Sequence, residues 1–447
     1  MMNIDYLHNK RILVAGLGAT GASVVRFLHA NNIMFDVVDE HAKPSATLAD
    51  CITGATVYET LSVELCCGYD VLILSPGIPR AHNAVSQAIN AGVQVIGDIE
   101  LFAHAINDTP VIAVTGSNGK STVVSWIAHV LAGCGKHAVL CGNIGLPALD
   151  AIDARAEIYV LELSSYQLES TRSLRALSAT VLNISDDHMD RYDSIDHYAS
   201  TKRIIYTSCH HAVVNHDDER TWVTPSALKA GATHTSFSTM SGDADYCLDA
   251  AANDAWLTHR ATHVVKSGEL KVPGNHNIAN ALAVLALLEP LMLDSTAVVS
   301  ALITFSGLEH RTEFVRERRG VRWFNDSKGT NIDACKNAIE AMQAPVILIA
   351  GGLGKGANFS TLRTAVQAHV KLLVLIGEDA TLIATMLEGT ATVVMAESLI
   401  DAVARCAEAA ESGDAVLLSP ACASFDMFDN FEHRGVAFKQ AVEALAA

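Results

Sequence analysis

Residues 109–122, Thr-Pro-Val-Ile-Ala-Val-Thr-Gly-Ser-Asn-Gly-Lys-Ser-Thr, change periodicity within a single glycine turn. Val111, Ile112, Ala113 and Val114 form an apolar, β-branched run opened by Pro110, the pattern of a buried strand. Beyond the turn, Val123, Val124, Ile127, Val130 and Leu131 recur at helical spacing. A strand, a glycine turn and a helix N-terminus make an anion site. The glycines let the backbone close around phosphate, free N–H groups point at it, and the helix dipole favours negative charge. Gly116, Ser117, Asn118, Gly119, Lys120, Ser121 and Thr122 are thus the expected cradle of a nucleoside triphosphate. Lys120 would face the β- and γ-phosphates, and the Ser121 hydroxyl would face Mg²⁺. The general pattern has four residues between its first glycine and Gly-Lys, whereas Gly116 and Gly119 are separated by two.

Upstream, the strand Arg11–Ala15 runs into Gly16-Leu-Gly18-Ala-Thr-Gly21, a helix to Ala30, and a second strand ending at Asp39. This G-x-G-x-x-G turn is the main competitor for the nucleotide site, because in this context it suits a dinucleotide and an NAD-dependent oxidoreductase. Physically it accepts a diphosphate at a helix N-terminus, whether from NAD or from another nucleotide. A strand at Tyr69–Ser75 ends in Pro76-Gly77, a helix follows over 84–91, and a strand at Val93–Ile96 closes the unit near residue 98.

Downstream of the P-loop, strands are expected at Ala138–Cys141, Glu157–Leu163 and Ala179–Ile184. Glu162 therefore lies at a strand's carboxyl end, where doubly wound sheets bind ligands. The cluster Asp186-Asp187-His188-Met-Asp190 reads either as a cation site or as a solvated loop. Tyr198–Tyr206 reads as a helix, and on composition its Lys202 belongs at the surface. Residues 217–262 are turn-rich and irregular, the pattern of short strands and loops, and Asn277 and Asn280 stand as caps before an alanine/leucine helix over 281–288. From Gly307 onward, strands at 321–325, 346–350, 372–376 and 415–418 interleave with helices around 333–342, 380–388, 398–411 and 433–446. The expected fold is α/β in three domains: Rossmann-like over 1–98, a P-loop ATPase-like domain with a parallel sheet over 99–306, and a second Rossmann-like domain over 307–447.

Composition narrows the function. Thirty-one Lys and Arg against 49 Asp and Glu leave a formal charge of −18. Extended contact with nucleic-acid phosphate is excluded on that balance, so any phosphate must be held by local loops, single lysines and metal. The ten cysteines are scattered without a C-x-x-C pair, which suggests neither zinc nor a disulfide framework. There is no signal-peptide pattern and no long apolar run for membrane insertion, so the expected compartment is the cytoplasm.

Taken together, Thr115–Thr122, Glu162-Leu-Ser-Ser165, Asp187-His-Met-Asp190, Gly274-Asn-His-Asn277, His310-Arg311 and Asn325-Asp-Ser-Lys328 resemble the bacterial Mur ligases. In that family the P-loop is short by two residues. Leu418–Asp426 and Asn430–Gly435 resemble its D-glutamate-adding branch. The resemblance implies that ATP phosphorylates the carboxylate of UDP-N-acetylmuramoyl-L-alanine and that the D-glutamate amine displaces phosphate. By resemblance, Lys120, His188, Lys202 and Lys328 are catalytic. Ser121, Glu162, His188 and Lys202, the last as a CO₂-derived carbamate, hold two Mg²⁺. Asn277, Asn280, Arg311 and Asp326 join the P-loop at ATP. Gly18, Ala19, Thr20, Gly77, Asn143 and His188 meet the UDP substrate, so the first glycine turn takes the UDP diphosphate rather than NAD. Thr330, Lys355, Ser424 and Phe431 form the D-glutamate pocket. Glu40-His41 stands where relatives place Thr-Arg, putting an acid beside the diphosphate. The remaining implications are a monomer and closure of the third domain over ATP. A ligase for another amino acid, or of the folylpolyglutamate type, is the alternative within the superfamily.

Overall fold

A computed structural model describes residues 4–40, 46–106, 108–187, 189, 191–250, 254–272, 274–342 and 344–446. Among these residues there are three sheets.

The first sheet holds β1 (Ile12–Ala15), β2 (Asp36–Val38), β3 (Val57–Tyr58), β4 (Val71–Leu74) and β5 (Gln94–Gly97). Its order is β3-β2-β1-β4-β5, parallel throughout. β1 and β4 are wholly buried because every residue in them is apolar and helices cover both faces. The chain order reverses between β1 and β4, so a crevice opens beyond their carboxyl ends.

The second sheet has nine strands: β6 (Val111–Thr115), β7 (Ala138–Gly142), β8 (Ile158–Glu162), β9 (Ser178–Val181), β10 (His211–Asn215), β11 (Thr233–Ser238), β12 (Tyr246–Asp249), β13 (Trp256–His259) and β14 (Thr262–Lys266). Their order is β14-β13-β12-β11-β10-β9-β6-β8-β7. The expected parallel sheet extends from β7 to β12, but β12, β13 and β14 continue it as an antiparallel meander. The short strands expected in the turn-rich segment 217–262 are present and lengthen the central sheet. Its strands are short and carry many polar residues, so neither alternation nor an apolar run marks them. The last hairpin turns on Arg260 and Ala261, both in the left-handed region without a glycine to signal it.

The helix Asp98–Ala105 joins these two sheets and buries Ile99, Leu101 and Phe102 in an apolar core shared by both. Residue 98 therefore marks a change of sheet but not a gap in packing. Compact packing divides the chain into one unit of residues 1–270 with 279–305 and another of 271–278 with 306–447.

The second unit carries β15 (Glu313–Arg318), β16 (Val321–Asn325), β17 (Val346–Gly351), β18 (Val370–Ile376), β19 (Thr392–Met395) and β20 (Ala415–Leu418). Their order is β15-β16-β20-β17-β18-β19, with β15 alone antiparallel. β17 and β20 lie at its centre and are buried along their whole length. Asn277 is not a cap, since the helix runs from Asn275 to Leu288 and takes both Asn277 and Asn280 into its first turns.

Candidate active site

In the first unit the carboxyl ends of β6, β8 and β9 bring three loops together. The turn after β6 needs its glycines. Gly116 has φ +153° and Gly119 φ +85°, and a Cβ on Gly119 would stand 2.7 Å from Asn280 Oδ1. The helix Lys120–Gly133 starts directly on Gly119. The turn is held from the β9 side: Asn118 N donates to Asn183 Oδ1 at 2.8 Å, Ser117 N to Asn183 O at 2.9 Å, and Ser185 N to Ser117 Oγ at 2.9 Å. Asp218 in turn accepts from Ile184 N at 2.7 Å. Asn183, Ser185 and Asp218 escape sequence reasoning, because nothing local marks an asparagine or aspartate that braces a loop far away in the chain.

Lys120 Nζ donates to Gly116 O and Ser117 O, each at 2.8 Å. Lys202 Nζ donates to the same Gly116 oxygen at 2.9 Å, so the two amines are neighbours. Contrary to the surface position expected from composition, Lys202 is only 2% exposed. Its helix Ile195–Arg203 packs inward on this turn of residues, and Nζ lies 4.6 Å from the centre of the Tyr198 ring. Burial, then the Lys120 charge, hold the Lys202 amine well below its usual range, against the pull of Asp187 and Glu162.

Glu162 ends β8 with 3% exposure. Its Oε1 accepts from Asn143 Nδ2 at 2.8 Å, while Oε2 is buried with no hydrogen-bond partner. A buried carboxylate oxygen without a donor is costly unless something else meets it. A hard divalent cation takes such oxygens, so this orphaned oxygen fits a metal ligand. Gly142 permits the geometry, since a Cβ there would stand 2.4 Å from Glu162 O. Among the described residues no three His, Cys, Asp or Glu side chains converge as a preformed metal cage. His188 and Asp190 lie outside the described residues.

The first sheet's glycine turn follows β1. Gly16 takes φ +87° and accepts from Ser75 Oγ at 2.8 Å, and a Cβ on Gly21 would stand 1.8 Å from Gly16 O. Gly18 precedes the helix Ala19–Ala30, so Ala19 and Thr20 form its first turn. Asp39, at the position a dinucleotide's ribose would claim, accepts from Leu17 N at 2.5 Å and so closes the turn itself. Beside it, Gly16, Asp39, Glu40, Gly77 and His82 line a cavity of about 310 Å³. Arg191 ties this mouth to the central sheet: its guanidinium grips Glu169 with two bonds of 2.7 and 3.0 Å and donates to Pro76 O at 2.8 Å. His41 is outside the described residues.

In the second unit, loops after β16, β17 and β20 meet. Asp326 is buried, with Oδ2 accepting from Ser419 Oγ at 2.7 Å and Oδ1 from Thr312 N at 3.0 Å. Burial raises its carboxyl to about 6. Lys328 Nζ sits 3.7 Å above the centre of the Phe431 ring. Leu353 and Ala423 exchange backbone bonds of 3.0 Å, which sets the loop of Lys355 beside that of Ser424. Lys355 is exposed with φ +51°, Ser424 is buried, and Thr330 is exposed two residues beyond Lys328. Thr330, Lys355, Ser424 and Phe431 thus belong to one end of this sheet. Asn277 and Arg311 belong to the same unit, whereas Asn280 belongs to the first.

A P-loop, a second glycine turn and a buried acid–lysine cluster on an α/β scaffold define a nucleotide-dependent enzyme of the P-loop class. The sequence matches the models of the MurD-like N-terminal domain over residues 10–97, the Mur ligase middle domain over 114–288, and the Mur ligase glutamate ligase domain over 310–422. The chain is 40% identical over 445 residues to the UDP-N-acetylmuramoylalanine–D-glutamate ligase of Coxiella burnetii, covering 97% of this chain and 98% of that one. It is 43% identical over 442 residues to the enzyme of the same name from Pseudomonas fluorescens, with the same coverage. Among solved structures, the UDP-N-acetylmuramate–alanine ligase of Thermotoga maritima aligns with TM-score 0.60 at 19% identity, over 98% of this chain and 100% of that one. The Acinetobacter baumannii MurF structure aligns with TM-score 0.59 at 17% identity over 83% and 90%. These two establish the fold. The chain belongs to the Mur ligase family.

Proposed function

We propose that this chain is an ADP-forming ligase that joins D-glutamate to UDP-N-acetylmuramoyl-L-alanine in the cytoplasmic synthesis of peptidoglycan precursors. The cluster behind the P-loop supports this reading: the buried Lys202 amine shares the Gly116 carbonyl with Lys120, and the unpartnered Glu162 Oε2 ends the strand paired with β6. An NAD-dependent oxidoreductase has no use for such a cluster, and Asp39 is already engaged by Leu17 N.

A carboxylate is a poor acyl donor, so the reaction first needs a leaving group. The substrate carboxylate oxygen attacks the γ-phosphorus of ATP and ADP departs. The D-glutamate nitrogen then attacks the acyl carbon, inorganic phosphate departs, and the nitrogen loses a proton as the amide forms. Both steps concentrate negative charge, so catalysis rests on positioning and electrostatic stabilisation. Lys120 and the backbone of Gly116–Thr122 hold the phosphates, with Asn277, Asn280, Arg311 and Asp326 completing the ATP contacts and Lys328 neutralising charge. Gly18, Ala19, Thr20, Gly77 and Asn143 bind the UDP substrate, with His188. Thr330, Lys355, Ser424 and Phe431 bind D-glutamate, Lys355 as counter-ion to one carboxylate. These roles divide the chain into UDP-substrate (1–98), ATP (99–306) and amino-acid (307–447) domains acting as a monomer.

Two Mg²⁺ held by Ser121, Glu162, His188 and Lys202 would neutralise phosphate charge. Lys202 serves there as a carbamate. A protonated lysine repels a cation, but burial favours the neutral amine, the form whose lone pair adds to CO₂. The test is ADP release with UDP-N-acetylmuramoyl-L-alanine and a panel of amino acids. D-glutamate alone should support turnover. Activity with L-alanine or L-lysine but not D-glutamate overturns the specificity, and tight NAD binding with no response to ATP overturns the ligase.

A further inference from the structure

Arg434, on the helix Phe431–Glu443, is among the largest fully buried side chains, at 1% exposure. Its Nε donates to Ser327 Oγ at 3.0 Å and its Nη2 to Ser327 O at 2.8 Å. Nη1 and Nη2 both donate to Cys422 O at 3.2 Å. Ser327 Oγ passes the contact on to Phe431 O at 2.8 Å. One planar group therefore spans two loops, that of Lys328 and Thr330 after β16 and that of Ser424 after β20. Among the described residues, all these acceptors are neutral and no carboxylate pairs with the guanidinium. Asp326 and Asp426 feel its charge from further away, but Asp326 is occupied by Ser419 and Thr312, and Asp426 Oδ2 by Glu378 N. Burial lowers the Arg434 group to about 10, the mark of a charge kept in the interior at a cost. A neutral donor could pin the same carbonyls with less desolvation. What the guanidinium adds is positive potential at this end of the sheet, in a chain whose net charge is −18.

We propose that Arg434 is a positioning residue of the amino-acid site, which locks the Lys328–Thr330 loop to the Ser424 loop and biases the site toward an anionic amino acid. The inference rests on the D-glutamate pocket proposed above.

The experiment is steady-state ADP release by the full-length enzyme with D-glutamate and ATP varied in turn, for Arg434→Lys, Arg434→Gln and Ser327→Ala, beside Ser424→Ala and Lys355→Met. Arg434→Lys keeps the charge and should raise KM for D-glutamate about tenfold. Arg434→Gln should raise it about a hundredfold, with KM for ATP within about twofold in both. Ser327→Ala removes one acceptor, leaves the buried charge, and should raise KM for D-glutamate severalfold even if both Arg434 variants fail to fold. If KM for D-glutamate stays put while kcat and the melting midpoint fall together, Arg434 is structural and the proposal is overturned. If Ser424→Ala and Lys355→Met raise that KM and the Arg434 and Ser327 variants do not, only Arg434 loses its role. If none of the five moves it, the pocket itself is wrong.

Discussion

Glu162→Gln should make the ligand-free protein more stable and the enzyme nearly inactive. The side chain is 3% exposed, Oε1 is satisfied by Asn143 Nδ2 at 2.8 Å, and Oε2 has no partner. An unsatisfied buried polar group costs about 1–3 kcal/mol, and more when charged. Glutamine keeps the bond from Asn143 and replaces the orphaned, charged oxygen by a neutral amide nitrogen that is still unpaired. The gain is therefore a difference between two penalties, about 1–2 kcal/mol. For a unit of this size it corresponds to an increase of about 2–3 °C in melting midpoint. The same change removes the oxygen proposed as a Mg²⁺ ligand, and turnover should fall at least about a hundredfold. Thermal melts in chelator, then with Mg²⁺ and ATP, read the first effect, and ADP release reads the second. In chelator the variant should melt higher than wild type, and addition of Mg²⁺ and ATP should narrow or reverse the gap. A lower midpoint in chelator refutes the cost assigned to Oε2. Activity within tenfold of wild type refutes its role at the metal.

Two further outcomes are expected. Lys202→Ala should lose most ADP release, and millimolar acetate should restore part of it by supplying the oxygens of a carbamate; full metal binding without rescue counts against the carbamate. Asp98 is fully buried, with Gln167 Nε2 donating to Oδ2 at 3.0 Å and Oδ1 unpartnered, and burial raises its carboxyl to about 6. The native state thus holds this proton more tightly than the unfolded chain, whose carboxyl titrates near 4, so stability from this group is present below about pH 4 and lost as pH rises through about 6. Relative to wild type, Asp98→Asn should gain about 2 kcal/mol between pH 4 and pH 7 and almost nothing more above it, as read by denaturant midpoints. A difference that stays flat from pH 4 to pH 8 would contradict this.

Much of the molecule is legible in local sequence. The change of period at Gly116, the glycine turn at Gly16–Gly21 and the apolar strands β1, β4, β6, β8, β17 and β20 place three α/β sheets and two glycine turns ahead of helices. They are readable because strand period, helix period and positive φ are properties of a few neighbouring residues. For the meander β12–β14 local sequence shows short strands but not their order or antiparallel pairing, since these are set by the strands' contacts with each other. Nor do the asparagines of 275–280 announce whether they cap a helix or lie within it.

What tertiary structure alone decides is the electrostatic state of particular side chains. Lys202 has the composition of a surface residue, yet it is buried against a carbonyl shared with Lys120, 82 positions earlier in the chain. Glu162 is recognisable as an acid at a strand end, but its unpartnered oxygen is buried there between the flanking strands β6 and β7. Arg434 falls in the Asn430–Gly435 stretch that sequence singles out, but its burial and its bonds to Ser327 and Cys422 come only from distant loops brought to it. Sequence determined where strands, turns and helices form and which turns need glycine, because backbone conformation is local. Desolvation and charge proximity depend on partners far apart in the chain, so which lysine has its proton affinity lowered, which carboxylate oxygen is buried without a donor and which arginine pins two loops together were decided by the fold.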